Sequence, residues 1–576
     1  SHLGSRTLSR PCVRAASVVD GPREPHPQPA RACQLVARMR RAAPRRALLD
    51  GVAVGQDPVS RLSPFALARL AQRSAREQRD GVGHWRALSA RAVAVAHTMG
   101  PADMSSLLYS FAQMRFRDRA MMSRLGEAVP GVLGQFRAAD ITAFLAASAR
   151  LDVRQKQVLN LFAREIARKL HDFSAAQLGE LVYAYARLDM RHELLLSVLK
   201  KRIMEVVKAL KPWHLAMVAN GFARLGESDE RFFTLVAAEI ARKIPEFPSK
   251  ALALVANAYA RLRLRNRFLL ELVGEEAFRR RAELEPQGVA LLLNAHAKLR
   301  IVSPVFFDYC AKDVPRQLKR YKLQSVCMVA SAFARQRRTD EVLFAKIGDY
   351  ACQHAPDLYP RAVASLLFAF SEADVRHSVL FFNVPKLVAN DVAAYSVDEL
   401  AMVAWAYGRF QMVHMPLFDV ITEALPKRVL VAPPQGLGDL EEDGSSASPR
   451  QPLVSSLTRL LEAYARLTIF EAEVLQLLSD ALVTRRDELA PALVIQALRA
   501  LAALSYAHPG LLEEGRRCVI EGAEDLSLEE LEALRAAMDL LGAGPSEGEN
   551  ASAGALLERP RALPVRDGDI AGVSTA

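Results

Sequence analysis

The sequence predicts an all-α fold, an α-solenoid of about 12 paired-helix repeats, and three observations carry that expectation. The first is a marker that returns every 37 residues: a small residue after a usually aromatic one and before a usually basic one. It falls at Ala112, Ala149, Ala186, Ala223, Ala260, Ala297, Ala334, Ser371 and Gly408. An unbroken period of this size belongs to stacked supersecondary units rather than to one globular core. The second is the pattern inside each period. Leu215, Val218, Ala219 and Phe222 stand at i, i+3, i+4 and i+7, and Leu252, Val255, Ala256 and Tyr259 repeat them one period later. That spacing puts them on one helix face. The third is composition. A hydrophobic content of 51% supplies a continuous core, yet no run of about 18 uncharged apolar residues exists to cross a membrane.

Taken in chain order, residues 1–61 form an arginine-rich leader. The first 50 hold ten arginines, no lysine and three acids, Asp20, Glu24 and Asp50. This composition resembles an organellar transit peptide, or else a disordered basic leader that carries no address, and Gln34–Leu49 has the makings of a short basic helix. Residues 62–432 are the repeat array. In the copy around Lys211–Lys243, a first helix runs to Leu225, Gly226-Glu227-Ser228 breaks it, and Asp229 caps a second helix. The second helix presents Phe232, Phe233, Val236 and Ile240 to the first.

Two columns of the first helix are almost always small. One holds Gly179, Ala216, Ala253, Ala290, Cys327, Ala364 and Ala401; the other holds Ala184, Gly221, Ala258, Ala295, Ala332, Ala369 and Ala406. They lie on opposite flanks, so neighbouring first helices are expected side by side as the inner wall and second helices as the outer wall. The marker after Gly408 is Ala465, one period plus a 20-residue insert later. Residues 433–452, rich in acids, glycine and serine, are read as that insert. The array resumes over 453–522, a capping helix follows over 523–542, and 543–576 form a disordered tail.

The net charge of +12 is unevenly spread. Residues 1–150 carry 23 basic and 10 acidic side chains, residues 151–430 carry 41 and 30, and residues 431–576 carry 12 and 24. A basic array with an acidic end suits a polyanionic partner, or else a solvated surface with an acidic tail. Cys12, Cys33, Cys310, Cys327, Cys352 and Cys518 show no Cys-x-x-Cys pair and no zinc spacing, which points to reduced thiols in a reducing compartment. Phosphate-binding glycine loops, His-Glu-x-x-His and Gly-x-Ser-x-Gly are missing from the sequence, so the expectation is a non-enzyme with no cofactor and no metal.

Function is expected on the first-helix face turned away from the core. A cation column there holds Arg76, Arg150, Arg187, Arg224, Arg261, Lys298, Arg335, Arg409 and Arg466, broken by Gln113, Glu372 and Ala503. Evenly spaced cations can track a phosphate backbone. The same position ends the helix, where a cation also offsets the helix dipole by roughly 0.3–1 kcal/mol. Four residues earlier stands the most variable column: Gln72, Tyr109, Ala146, Tyr183, Asn220, Asn257, Asn294, Ser331, Phe368, Trp405 and Glu462. Amides can read base edges and aromatics can stack on bases. The alternative is an exposed site under little constraint. His296 takes the aromatic place of the marker and reads as a core or helix-end histidine; Trp85 reads as packing, and Trp213 as a stacking residue or an interface plug.

The Tyr183-Ala184-Tyr185-Ala186-Arg187-Leu188 type of core, repeated at 37 residues over about 62–522, resembles the heptatricopeptide repeat of the octotricopeptide-like and FAST-kinase-like organellar RNA-binding proteins. The resemblance implies residence in a mitochondrion or a plastid. It also implies work in transcript or ribosomal RNA processing, stability or ribosome assembly, alongside ribosomal or RNA-processing proteins. Many members end in a RAP domain, a nuclease-like fold; no such pattern is recognised after residue 522, which favours binding over cleavage. The resulting expectation is a non-catalytic binder of single-stranded RNA, mRNA or rRNA, holding about 12 nucleotides at one per repeat. Its rival is a protein scaffold or a structural subunit of an organellar ribosome.

Overall fold

The computed structural model describes residues 59–301, 303–429, 452–521 and 526–542. The leader's basic helix, the acidic insert apart from Pro452 and the terminal tail lie outside the described residues. Every regular element among the described residues is helical. Twelve helical hairpins follow one another from Pro64–Arg76 with Val82–Val95 to Pro491–Ala503 with Pro509–Glu521, and a further helix, Leu528–Leu540, packs on the last pair. The chain is thus an all-α solenoid, and the copies are numbered 1 to 12 below.

One copy explains the rest. In copy 5 the first helix, Pro212–Arg224, starts with proline at its first position, where the missing N–H costs nothing. It buries Leu215, Val218, Ala219 and Phe222. The second helix, Glu230–Lys243, is capped by Asp229, whose carboxylate accepts the Phe232 N–H at 3.0 Å. Phe222 and Phe232 meet edge-to-face with centroids 4.8 Å apart, joining the two helices.

Each of the twelve turns between paired helices contains one residue in the left-handed region, with φ between 50° and 77°. Only copy 5 uses glycine, Gly226; elsewhere the position holds residues such as Asp189, Arg263 and Gln411. The geometry is a Schellman close. In copy 4 the Asp189 N–H donates to Ala186 O at 3.3 Å and the Met190 N–H to Tyr185 O at 3.0 Å. A side chain in this region costs roughly 1–2 kcal/mol per residue, and the two recovered hydrogen bonds offset that cost.

The marker aromatic ties copies together. Tyr185, Tyr259 and Tyr407 each donate a hydroxyl hydrogen bond to a carbonyl in the preceding second helix: Leu159 O at 2.8 Å, Phe233 O at 2.8 Å and Phe381 O at 2.5 Å. His296 occupies the same site, fully buried, with Nε2 3.1 Å from Leu270 O. It is a tie of the same kind, and burial lowers its proton affinity.

The small columns face opposite neighbours. A methyl carbon on Gly179 would lie 3.4 Å from His214 O of the following copy, and one on Gly221 3.2 Å from the Val182 carbonyl carbon of the preceding copy. Across the insert, a methyl on Gly408 would come within 3.1 Å of Ala463 Cα, so the stack continues without a break in register. Neighbouring first helices pack closely along their length, whereas neighbouring second helices touch more sparsely. The first helices therefore form one wall of the stack and the second helices the other.

Candidate nucleic-acid interface

With both flanks and one side of each first helix buried, a single face remains. Its outermost row is the cation column. Arg76, Arg150, Arg187, Arg224, Arg261, Lys298, Arg335, Arg409 and Arg466 are all exposed, and all but Arg150, which is followed by Leu151, are the last residue of their helix. Their partners differ. Arg187 Nε donates to Ala149 O at 2.6 Å, closing the end of the neighbouring first helix, so at this copy the helix-end role is realised. Arg466 is neutralised by Glu462 at 2.6 Å. Arg224 and Arg409 make no ion pair and no hydrogen bond among the described residues. Arg261 likewise has no carboxylate partner.

The row behind is the variable column. Tyr109, Tyr183, Asn220, Asn257, Asn294, Ser331, Phe368 and Trp405 are all half-exposed. The two rows interlock diagonally. The Arg150 guanidinium sits 5.3 Å from the Tyr109 ring of the preceding copy, and Arg335 Nη1 donates to Asn294 Oδ1 at 3.1 Å. Phe368 and Trp405, from adjacent copies, lie 5.2 Å apart with an interplanar angle of 37°, and Arg459 lies 5.3 Å from the Phe368 ring. These are cation–π and tilted ring contacts at which a base can stack in place of a guanidinium.

A third row escaped the sequence reading. Three residues before the variable column stand Met217, Leu254, Leu291, Met328 and Met402; Met217 is buried and the others are half-buried. Their signal was an i, i+3, i+7 stripe lying off the core face, hidden because Leu and Met fit either side of a buried helix. In cross-section the face therefore grades from cation through amide or aromatic to an apolar floor. The floor is built of Leu or Met in copies 5 to 8 and 10 only: copies 2 and 9 hold Ser106 and Ser365 there, and copy 4 holds Glu180, a half-buried acid near Arg150 whose pKa is raised by burial. Trp213, on the same face one turn earlier, is partly exposed. Trp85 lies elsewhere, fully buried and donating to Arg79 O at 2.7 Å.

A second set of cations also escaped notice. Near the ends of second helices, Lys169 donates to Gly134 O at 2.9 Å and Phe136 O at 2.8 Å, and Lys243 donates to Lys208 O at 2.8 Å and Leu210 O at 2.7 Å. Arg280 reaches Phe247 O at 2.8 Å in the same way, and Arg428 reaches Val392 O at 2.8 Å. Lys169, Lys243 and Arg280 also meet the buried acids Glu165, Glu239 and Glu276. In copies 3, 5, 6 and 10 this column clamps the second helix to carbonyls that precede the first helix of its own hairpin.

Residues 157–416 match the protein family described as RNA-editing substrate-binding complex 6 protein. The matched span runs from the second helix of copy 3 to the second helix of copy 10, so it contains the cation column from Arg187 to Arg409. No curated protein matches the chain. Among solved structures, one described as "Homology model of the full-length AP-3 complex in an intermediate open conformation" is 12% identical, with a TM-score of 0.29, covering 86% of this chain and 89% of that one. A likeness that weak carries no argument about this protein. No helix among the described residues is long and apolar enough to cross a membrane, and no group of metal-ligating side chains occurs among them.

Proposed function

We propose that the protein is a non-catalytic RNA-binding repeat protein that holds single-stranded RNA along the first-helix wall. The observation that carries the reading is the graded face: exposed cations outermost, all but Arg466 without a carboxylate partner among the described residues, half-exposed amides and aromatics next, and in copies 5 to 8 and 10 an apolar floor behind. Phosphates seek forked, unneutralised donors, while unstacked bases seek amide edges and flat apolar surfaces. In this reading Arg150, Arg187, Arg224, Arg261, Lys298, Arg335 and Arg409 face phosphates. Tyr109, Tyr183, Asn220, Asn257, Asn294, Ser331, Phe368 and Trp405 face bases at about one nucleotide per repeat. The match to a family described as part of an RNA-editing substrate-binding complex supports an RNA-associated role within a larger assembly. Residence in the mitochondrion, with the plastid as the alternative, is part of the same proposal, and the arginine-rich leader suits an organelle of either kind. Which RNA is bound, mRNA or rRNA, and membership of the heptatricopeptide family belong to the same proposal.

The test is the triple variant Arg224→Glu, Arg261→Glu, Arg409→Glu, which removes cations without carboxylate partners. Against a single-stranded RNA of about 15 nucleotides, a little longer than one per repeat, affinity falls more than about tenfold and the log–log salt slope becomes shallower by about 2, at ~0.7 per lost phosphate contact. Unchanged affinity with an unchanged slope contradicts the proposal.

One observation favours the rival scaffold reading. At the second position of several second helices an apolar residue is exposed: Leu194 at 61%, Phe268 at 68%, Val305 at 59%, Val342 at 66% and Val379 at 57%. Such a row suits a protein contact, for instance with ribosomal or RNA-processing proteins, and binding through it is insensitive to salt.

A further inference from the structure

The left-handed turn position stands two residues after the cation column, on the same edge of the array. Read copy by copy, its charge changes sign. It is Asp152 and Asp189 in copies 3 and 4, Gly226 in copy 5, Arg263, Arg300 and Arg337 in copies 6 to 8, and Asp374 and Gln411 in copies 9 and 10. In copies 6 to 8, therefore, Arg261, Lys298 and Arg335 of the ladder are doubled by Arg263, Arg300 and Arg337 of the turns. All six are exposed, and none has a carboxylate partner among the described residues. Neighbouring arginines are used structurally: Arg338 pairs with Asp308, and Arg265 donates to Arg300 O at 3.4 Å. Apart from Arg335, which donates to Asn294 Oδ1, the doubled patch is what remains after local needs are met. Its members are close enough to repel. Partial burial, followed by the charges of Arg263, Arg335 and Arg261, lowers the proton affinity of Lys298. Holding six unneutralised cations together is unfavourable in the free protein, and three of them occupy a backbone conformation that side chains ordinarily avoid.

We infer that copies 6 to 8 form the primary anchor of the array, a double cation row in which Arg263, Arg300 and Arg337 grip backbone phosphates of single-stranded RNA together with Arg261, Lys298 and Arg335. The inference rests on the proposed RNA-binding function and adds the turn arginines and the place where binding starts. Flanking copies then extend the contact with single cations. At copies 3, 4 and 9 the turn acids keep the strand off the edge and on the helix face.

The turn position tolerates an uncharged amide, since Gln78 and Gln411 hold it natively at φ 50° and 52°. The test therefore compares two full-length variants with equal charge loss. One is Arg263→Gln, Arg300→Gln, Arg337→Gln; the other, outside the patch, is Arg76→Gln, Arg224→Gln, Arg409→Gln. The probes are a single-stranded RNA of about 15 nucleotides and one of about four, the latter short enough to sit on the patch alone at one nucleotide per repeat. The expected result is loss of the short RNA in the turn variant only, and a fall in affinity for the long RNA that is at least about threefold greater than in the control variant. Equal losses in the two variants, or a loss confined to the control, overturn the anchor while leaving the RNA-binding function standing. No loss in either variant overturns both. If the turn variant keeps RNA but loses an acidic polyglutamate peptide that the wild type binds, the patch serves an acidic protein segment and the inference fails.

Discussion

The two walls of the array use cations in opposite ways. On the second helices Lys243 is largely covered, donates to two carbonyls and lies 2.6 Å from the buried carboxylate of Glu239. On the first helices Arg224 and Arg409 are exposed and engage nothing among the described residues. Both sets recur with the period of 37, so periodicity alone does not separate function from construction. What separates them is where the charge is spent. A cation with buried acceptors stabilises the fold and is withheld from a ligand, whereas an exposed cation without acceptors adds little stability and stays available.

The comparison breaks most visibly at the clamp. Lys243→Met leaves Lys208 O and Leu210 O without their donor and Glu239 with one cation fewer, and is expected to cost about 2–3 kcal/mol, read as a fall in the denaturant midpoint. The side-chain hydrogen bond from Arg242, with help from Lys243, holds Glu239 down at about 2, against an ordinary value of 4.5. Because the folded value is the lower one, the stabilisation is fully present above pH 4.5 and is lost as pH falls toward about 2. In Lys243→Met the acid transition moves to higher pH, and an unmoved transition means that the clamp does not support Glu239. RNA affinity at neutral pH stays within about twofold of wild type, since no phosphate contact is removed.

The opposite substitution sharpens the same contrast at the smallest scale. Arg409→Ala is expected to change stability by less than about 0.5 kcal/mol, as for an unengaged surface residue. RNA affinity nevertheless weakens and the salt slope becomes shallower by ~0.7, the share of one phosphate contact. A stability loss comparable to that of Lys243→Met would mean that Arg409 is a second clamp.

Much of this was legible in the residues. The period, the paired helices, the Asp229 cap and the small flanks followed from spacing and residue size, because steric limits between helices act at every copy. The partners of Arg187 and of the clamp were not legible. Ala149 O, Lys208 O and Leu210 O are backbone atoms, and a carbonyl leaves no signature in side-chain chemistry. The clamp column was further obscured by Val206, Gln317 and Asp391 at equivalent places. Nor did the left-handed turns announce themselves, since eleven of the twelve dispense with glycine and rely on Schellman hydrogen bonds instead. The apolar floor of Leu254, Leu291 and Met328 was hidden by the generality of Leu and Met in helices.

Ultraviolet crosslinking of the full-length protein to single-stranded RNA, followed by identification of the crosslinked peptides, tests the central claim most directly. If the first-helix wall holds RNA with its bases on the variable column, crosslinks concentrate at the half-exposed Tyr109, Tyr183, Phe368 and Trp405 and spare the far more exposed Phe268 and Phe382 of the second helices. Crosslinks at Phe268 or Phe382 with none on the variable column contradict the account.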